Sequence, residues 1–186
     1  RRGYTLDEDS FLAQIFAGNG SPDTAYGTAN GYISRFEFLQ FLRYCHSLGI
    51  DVIPEIESPG HARAAIKSMR HRYRATGDGS YLLTEDGDTS SYTSAQSFRD
   101  NVMNPALPGP YKFMGKVIAE IDSMYREAGV PLVAIHIGGD EVPRGAWGGS
   151  PKARSMINDN NLDGERGLHA AFVESVADTL SRRGIA

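Results

Sequence analysis

Apolar residues recur every three or four positions in several stretches of the chain, which is typical of helices with one buried face. The first stretch covers residues 34–49 and opens with a capping-box pattern at Ser34. The second covers residues 113–128 and the third residues 168–180. A basic stretch over residues 61–73 also has helical character. The pattern therefore predicts four helices.

Shorter apolar runs between these helices predict strands. Residues 50–53 form one run, which stops at Pro54. Residues 132–137 are almost continuously apolar, as in a parallel strand buried on both faces, and residues 185–186 have the pattern of a third strand at its beginning. Helices that alternate with strands predict an α/β protein with right-handed crossovers. Two strands cannot close a sheet, so we expect a slice of a larger β/α architecture.

Two regions show neither the helical spacing of apolar residues nor the apolar runs of strands. The first thirty residues are rich in small polar residues, with turn signals at Asn19-Gly20 and Asn30-Gly31. Asn19-Gly20-Ser21 also fits a glycosylation sequence, a pattern so short that it usually arises by chance. Residues 75–110 form a long, turn-rich excursion, and loops of that length in compact domains are usually functional. Within it we expect residues 81–109 to form a flap over a site.

Composition excludes several classes of protein. The 186 residues are 40% hydrophobic and carry a formal net charge of −4, with no charged run at either end, which argues against binding nucleic acid through bulk positive charge. No apolar run approaches the roughly 20 residues that cross a bilayer, and the first residues predict no signal peptide. The single cysteine, Cys45, excludes an internal disulfide, and its helical position predicts a buried thiol.

Acidic side chains follow the second predicted strand. Asp140 and Glu141 come directly after Gly138 and Gly139, at the position where β/α enzymes place catalytic groups. Because neighbouring residues on a strand point in opposite directions, the two carboxylates should address different parts of one substrate. Two solvated acids in a turn are the alternative interpretation.

The first predicted strand leads to a histidine. A rigid Pro59-Gly60 turn delivers His61 to the same rim as the acid pair. A histidine there can orient a carboxylate, contact a substrate hydroxyl group or bind a metal ion.

A metal-dependent enzyme that uses His61, His136, Asp140 and Glu141 is one rival hypothesis, because these residue types bind zinc or harder ions. Their spacing matches no standard metal motif, so we predict no metal site. A non-catalytic domain that binds carbohydrate or a protein partner is the second rival, and the intact acid pair argues against it.

The motifs also carry a family resemblance. Residues 136–141, with the sequence HIGGDE, resemble the signature of the β-N-acetylhexosaminidases of glycoside hydrolase family 20. Residues 52–61, VIPEIESPGH, are similar to that family's preceding strand and Pro-Gly-His turn. Between them, Ser94-Ala95-Gln96, Asp100-Asn101 and Asn104-Pro105 resemble the bacterial chitobiase branch.

The resemblance implies a (β/α)8 TIM barrel, with these motifs on its third and fourth strands. Residues 1–186 would then be an incomplete catalytic barrel domain that lacks strands 1–2 and 5–8. It further implies retaining, substrate-assisted hydrolysis of terminal non-reducing β-N-acetylhexosamine residues, GlcNAc or GalNAc, from oligosaccharides or glycoconjugates, without a cofactor. A periplasmic or secreted location also follows from the resemblance. Open sheet edges predict that the isolated chain self-associates.

The resemblance also implies roles for individual residues. Glu141 is the general acid and later the base, and Asp140 orients the acetamido group and stabilises the oxazolinium intermediate. His61 couples Glu141 to an upstream aspartate. His136 matches the signature histidine, which supports the residues that touch substrate. Glu55 is predicted either to bind substrate or to support such residues.

Four loop residues keep two interpretations each. Trp147 either stacks on a sugar in the neighbouring subsite or packs its loop, with packing slightly favoured. Tyr92 and Gln96 either touch a second sugar ring or belong to an ordinary surface loop. Arg144 is equally ambiguous, and a solvated loop charge is the favoured interpretation.

Overall fold

The computed structural model describes residues 33–186, so the turn signals at Asn19-Gly20 and Asn30-Gly31 and the Asn19-Gly20-Ser21 pattern lie outside the described residues. The described part contains five α-helices and one 3-10 turn. They are α1 (Arg35–Ser47), α2 (Arg63–Thr76), the 3-10 turn (Gly79–Tyr81), α3 (Pro108–Ala128), α4 (Pro151–Asp159) and α5 (Gly164–Ser181).

All four predicted helices are confirmed, with altered bounds. Helix α1 has the expected capping box, because Ser34 accepts the backbone N–H of Glu37 and the Glu37 carboxylate accepts the backbone N–H of Ser34. Helix α3 begins earlier than predicted, with proline in its first turn, where the missing N–H of proline costs nothing. Helix α4 was missed, although the Ser150-Pro151 pair that opens it is a helix-start signal.

The two predicted strands meet in a single parallel bridge between Glu55 and His136. The backbone N–H of Ile56 donates to the His136 carbonyl at 2.8 Å, and the N–H of His136 donates to the Pro54 carbonyl at 2.9 Å. The prediction that the first strand stops at Pro54 is therefore wrong, because the pairing lies at and beyond the proline.

Residue 186 extends this arrangement. The Ala186 N–H donates to the Val133 carbonyl at 3.1 Å, and the Ile135 N–H donates to the Ala186 carbonyl at 3.0 Å. Full burial of residues 132–137 is wrong for the described part of the chain, since Ile135 is buried whereas Val133 is 41% exposed.

The main core lies between α1, α3, α5 and the paired segments. Tyr125 on α3 is buried and donates its hydroxyl to the Val52 carbonyl at 2.7 Å, which fixes the first segment on the helix. Cys45 is buried, as predicted. Among residues 33–186, no helix combines the length and apolar character needed to cross a membrane. The core residues are Leu39, Leu42, Met114, Ile118, Ile121, Tyr125, Ala128, Val130, Ile135, Phe172, Val176, Leu180 and Ile185.

Candidate active site

The loops that leave the two paired segments pack directly against each other. The Ser58 hydroxyl donates to the Ile137 carbonyl at 2.9 Å. Gly60 lies so close to the second loop that a Cβ added there would be 3.2 Å from the Asp140 carbonyl oxygen. This close approach is the reason for a glycine in the Pro59-Gly60 turn, and it brings the predicted histidine beside the predicted acids.

His61 and Glu141 both adopt left-handed backbone conformations, with φ of 51° and 48°. Residues other than glycine rarely occupy this region, and such strain clusters at functional sites. The result is a contact of 3.4 Å between His61 Nε2 and Glu141 Oε2. The structure therefore brings together the two groups that the sequence placed on one rim.

Gln96 makes a second contact with the same carboxylate oxygen. Its Nε2 donates to Glu141 Oε2 at 2.7 Å, so neither of these two partners uses Oε1. Gln96 sits in a tight turn in which the Ser94 N–H donates to the Phe98 carbonyl at 2.8 Å. The sequence left Gln96 either touching a second sugar ring or lying in an ordinary surface loop, and in the structure it contacts Glu141.

The loop that carries Gln96 contacts α2 and is also stabilised by hydrogen bonds within the loop. The Arg63 guanidinium lies 4.4 Å from the centroid of the Phe98 ring and its Nε donates to Asp100 Oδ1 at 2.6 Å. Tyr92 accepts the backbone N–H groups of Asn101 and Val102 on its hydroxyl oxygen at 2.9 and 3.1 Å. In this structure Tyr92 therefore stabilises its own loop.

The charges around Asp100 favour its contact with Arg63. Burial would raise the pKa of Asp100, but hydrogen bonds and charges from Lys67 and Arg63 outweigh burial and hold it below its ordinary value. The carboxylate therefore stays ionised and bound to both cations.

A second cluster forms around Asp140. One carboxyl oxygen each from Glu57 and Asp140 and a ring nitrogen of His61 lie within 4.8 Å of one another. Glu57 Oε2 is buried without a hydrogen-bond donor. Burial, followed by repulsion from Asp140, raises the pKa of Glu57, while His61 opposes the shift. Sequence reasoning missed Glu57, although its spacing of two from Glu55 places both carboxyl groups on one side of an extended segment.

Glu55 and His136 form their own pair at the bridge. His136 Nδ1 lies 2.9 Å from Glu55 Oε1, and both side chains are more than half exposed. Glu55 is also one of the smaller causes that raise the pKa of Glu57.

The four residues of the metal hypothesis do not gather at one point in the described part of the chain. His61 and Asp140 are together, but Glu57 is their third neighbour, His136 pairs with Glu55, and Glu141 faces His61 and Gln96. The Glu57, His61 and Asp140 side chains are of types that bind metal ions at such separations.

Trp147 is only 2% exposed, and its ring N–H donates to the Met103 carbonyl at 2.9 Å. Its backbone N–H and that of Gly145 both donate to the Glu165 carboxylate, which holds the loop after the acid pair. A ring this enclosed has no free face for a sugar, so packing describes its place in this structure. Arg144, in the same loop, is exposed, as the sequence indicated.

The comparisons with known proteins agree with the motifs. The family model described as glycosyl hydrolase family 20, catalytic domain, matches residues 7–186. A beta-hexosaminidase of Vibrio vulnificus is 37% identical over 175 residues, which cover 89% of this chain and 20% of that protein. An N,N'-diacetylchitobiase of Vibrio harveyi is 32% identical over 217 residues, which cover 97% of this chain and 24% of that protein.

A solved structure is also similar. It is a GH20 exo-β-N-acetylglucosaminidase from Vibrio harveyi in complex with N-acetylglucosamine, with a TM-score of 0.72 and 38% identity. The match covers 86% of this chain and 22% of that one. The chain thus spans a quarter or less of the length of these relatives.

Proposed function

The chain belongs to glycosyl hydrolase family 20, a family of TIM-barrel proteins, and we propose that it forms part of the catalytic barrel of a β-N-acetylhexosaminidase. That enzyme would remove terminal non-reducing β-N-acetylhexosamine residues from oligosaccharides or glycoconjugates with retention of configuration. The observation that carries the proposal is the carboxylate of Glu141, held on one oxygen by His61 and Gln96 beside the separately held Asp140.

Residues 1–186 would supply strands 3 and 4 of the barrel with their flanking helices. The parallel contact between residues 54–56 and residue 136 supports adjacent strands, and the bonds of Ala186 to residues 133 and 135 support a next strand that begins there. Strands 1–2 and 5–8 would come from other parts of the protein. The two catalytic loops then lie at the carboxyl ends of the strands, as in other barrel enzymes.

The proposed reaction has two steps. In the first, the acetamido oxygen of the substrate attacks the anomeric carbon while Glu141 gives its proton to the glycosidic oxygen, and the aglycone leaves as an alcohol. Asp140 accepts the acetamido N–H and stabilises the positive oxazolinium ring. In the second, Glu141 removes a proton from water, which attacks the anomeric carbon and reopens the ring. No cofactor takes part, and two displacements give overall retention.

The contacts of Glu141 suit its roles as the acid in the first step and the base in the second. Two nitrogen groups approach Oε2, which leaves Oε1 to exchange the proton with the glycosidic oxygen and later with water. Asp140, on the neighbouring position, belongs to the other cluster, so the two carboxyl groups work on different atoms of one sugar. In this proposal Glu55 and His136 support that cluster, and Trp147 supports the loop beyond it.

The stereochemistry of the first product tests the reaction class. We expect the full-length protein to release β-N-acetylglucosamine from an aryl β-N-acetylglucosaminide, followed by slow mutarotation in the proton NMR spectrum. Initial release of the α-anomer would refute the acetamido mechanism.

We expect Asp140→Asn to lower kcat of the full-length enzyme by about 100- to 1,000-fold, because it removes charge stabilisation that develops in the transition state. The rate of intermediate formation, followed by the burst of aryl leaving group, should fall most. Asp178→Asn, a change of the same chemistry on an exposed position of α5, is the control. Equal rates in Asp140→Asn and the control would remove Asp140 from the mechanism.

We expect Gln96→Ala to lower kcat by roughly fivefold with little change in KM, since one exposed hydrogen bond to a carboxylate contributes about 1 kcal/mol. A residue that grips a second sugar would instead raise KM for chitobiose and spare the aryl monosaccharide substrate. Comparison of the two substrates with the Gln96→Ala variant separates these roles.

A further inference from the structure

Glu57 has a carboxyl group that the proposed reaction does not use, and a neighbouring loop packs closely against it. Its Oε2 is buried and receives no hydrogen bond from the described residues. Gly138, with φ of 72°, lies against this oxygen, and a Cβ on that glycine would be 2.5 Å from it. The loop that carries Asp140 therefore passes over Glu57 in a way that only glycine allows.

Three ionisable groups face Glu57. One carboxyl oxygen of Asp140 and one ring nitrogen of His61 lie within 4.8 Å of a Glu57 carboxyl oxygen, and Glu55 is two positions earlier on the same extended segment. Glu55 in turn contacts His136. Two carboxylates within 4.8 Å repel each other when both are charged, and this repulsion favours a state in which one of them carries a proton.

The proton belongs on Glu57. The Asp140 side chain is exposed to solvent, whereas Oε2 of Glu57 is enclosed. Enclosure favours the neutral acid, and a neutral acid converts an acceptor-only oxygen into a donor.

We propose that Glu57 carries a proton and donates it to the Asp140 carboxylate, so that Glu57 positions Asp140 while leaving it negatively charged. The inference rests on the proposed function, since it gives the residue that orients the acetamido group a fixed partner. Glu57 itself touches no substrate and is a positioning residue. The raised pKa of Glu57, caused first by burial and then by Asp140, agrees with this arrangement.

The proposal also predicts the direction in which turnover changes with pH. Below the raised pKa of Glu57 the donor is present and Asp140 is held. As the pH rises through that value, Glu57 becomes charged, repels Asp140 and releases it, so turnover falls.

The test compares two substitutions of similar size in the full-length enzyme. Glu57→Gln keeps an N–H donor at every pH, whereas Glu57→Met removes it. We expect Glu57→Gln to stay within about threefold of the parent in kcat, and Glu57→Met to lose about 10- to 100-fold in kcat with KM almost unchanged, as for a hydrogen bond to a charged group. A role in packing alone would affect the two variants alike.

Infrared spectroscopy reads the proton directly and needs no substrate. Glu141 is a second protonated carboxyl group in the proposed mechanism, so the spectra are recorded in a Glu141→Gln background. There the carbonyl stretch of a protonated carboxyl group should be present at neutral pH, absent after Glu57→Gln is added, and retained after Glu55→Gln is added. This measurement decides the question even if Glu57→Met fails to fold.

Three results would overturn the inference: equal losses in both Glu57 variants, no protonated carboxyl band that depends on Glu57 at neutral pH, or activity that chelation removes and a divalent cation restores. The third result would assign the Glu57, His61 and Asp140 cluster to a metal ion. Failure of the proposed function is distinct, because it would appear as a parent enzyme without Glu141-dependent hydrolysis, whatever the infrared band shows.

Discussion

Glu141→Gln should lower kcat of the full-length enzyme by about 100- to 10,000-fold, the usual cost of losing a general acid, with little change in substrate affinity. Glutamine preserves the size of the side chain and can still meet His61 and Gln96 through its amide, but it cannot protonate the glycosidic oxygen. The loss should be greatest for substrates whose leaving alcohol is a poor one, because these need the proton most.

The measurement compares an aryl substrate that has an activated leaving group with chitobiose, in the variant and in Glu174→Gln. Glu174 lies exposed on α5 and controls for the loss of one negative charge. Near-normal hydrolysis of chitobiose by Glu141→Gln would contradict the assignment. An activated aryl substrate that is cleaved much better than chitobiose by the variant would support it.

The meeting of the two loops that carry His61 and Glu141 was predictable because it depends on local sequence and on a general property of β/α folds. Apolar runs located the segments around Ile53 and Ile135, and parallel strands put their following loops on one side. The glycines at positions 138 and 139 stand directly before the acid pair, and the structure shows that Gly138 has φ of 72° and that a Cβ added there would be 2.5 Å from Glu57 Oε2. The contact of His61 with Glu141 follows from these features together.

The partners of the acids were not predictable in the same way. Gln96 reaches Glu141 from 45 positions earlier in the chain, and its placement depends on the Arg63, Phe98 and Asp100 contacts between a loop and a helix. Periodicity carries no information about such packing. The protonation of Glu57 depends on burial and on a neighbouring charge, both of which arise only when the two loops meet.

The strand ends were misjudged for a related reason. Proline was taken as the end of the first strand because it has no N–H, yet the ladder needs only the Pro54 carbonyl, which accepts from His136. The missed helix α4 is short, with one buried residue, Ala153, so its apolar periodicity is weak. Its N-cap and proline were the better signals.

Residues 1–186, purified alone, should show no detectable hexosaminidase activity and should self-associate. Both carboxyl groups are present, but the described part of the chain contains one parallel bridge and the bonds of Ala186 in place of an eight-stranded barrel. Acetamido attack requires the N-acetyl group to be held beneath the anomeric carbon, and such positioning supplies roughly 7–11 kcal/mol of a barrier. The Glu141 side chain is 49% exposed, so the isolated chain does not exclude water from the acid.

Association follows from the apolar surface that the isolated chain would present to water. Phe36, Tyr44, Ile50 and Ile53 are each more than half exposed, and the edges of the paired segments have backbone groups that can bond to another chain. The experiment assays the chain with an aryl β-N-acetylglucosaminide beside its Glu141→Gln variant and measures its mass by light scattering. Glu141-dependent turnover by a monomer would contradict both expectations, because it would show that these residues form a self-contained active site without the remaining strands.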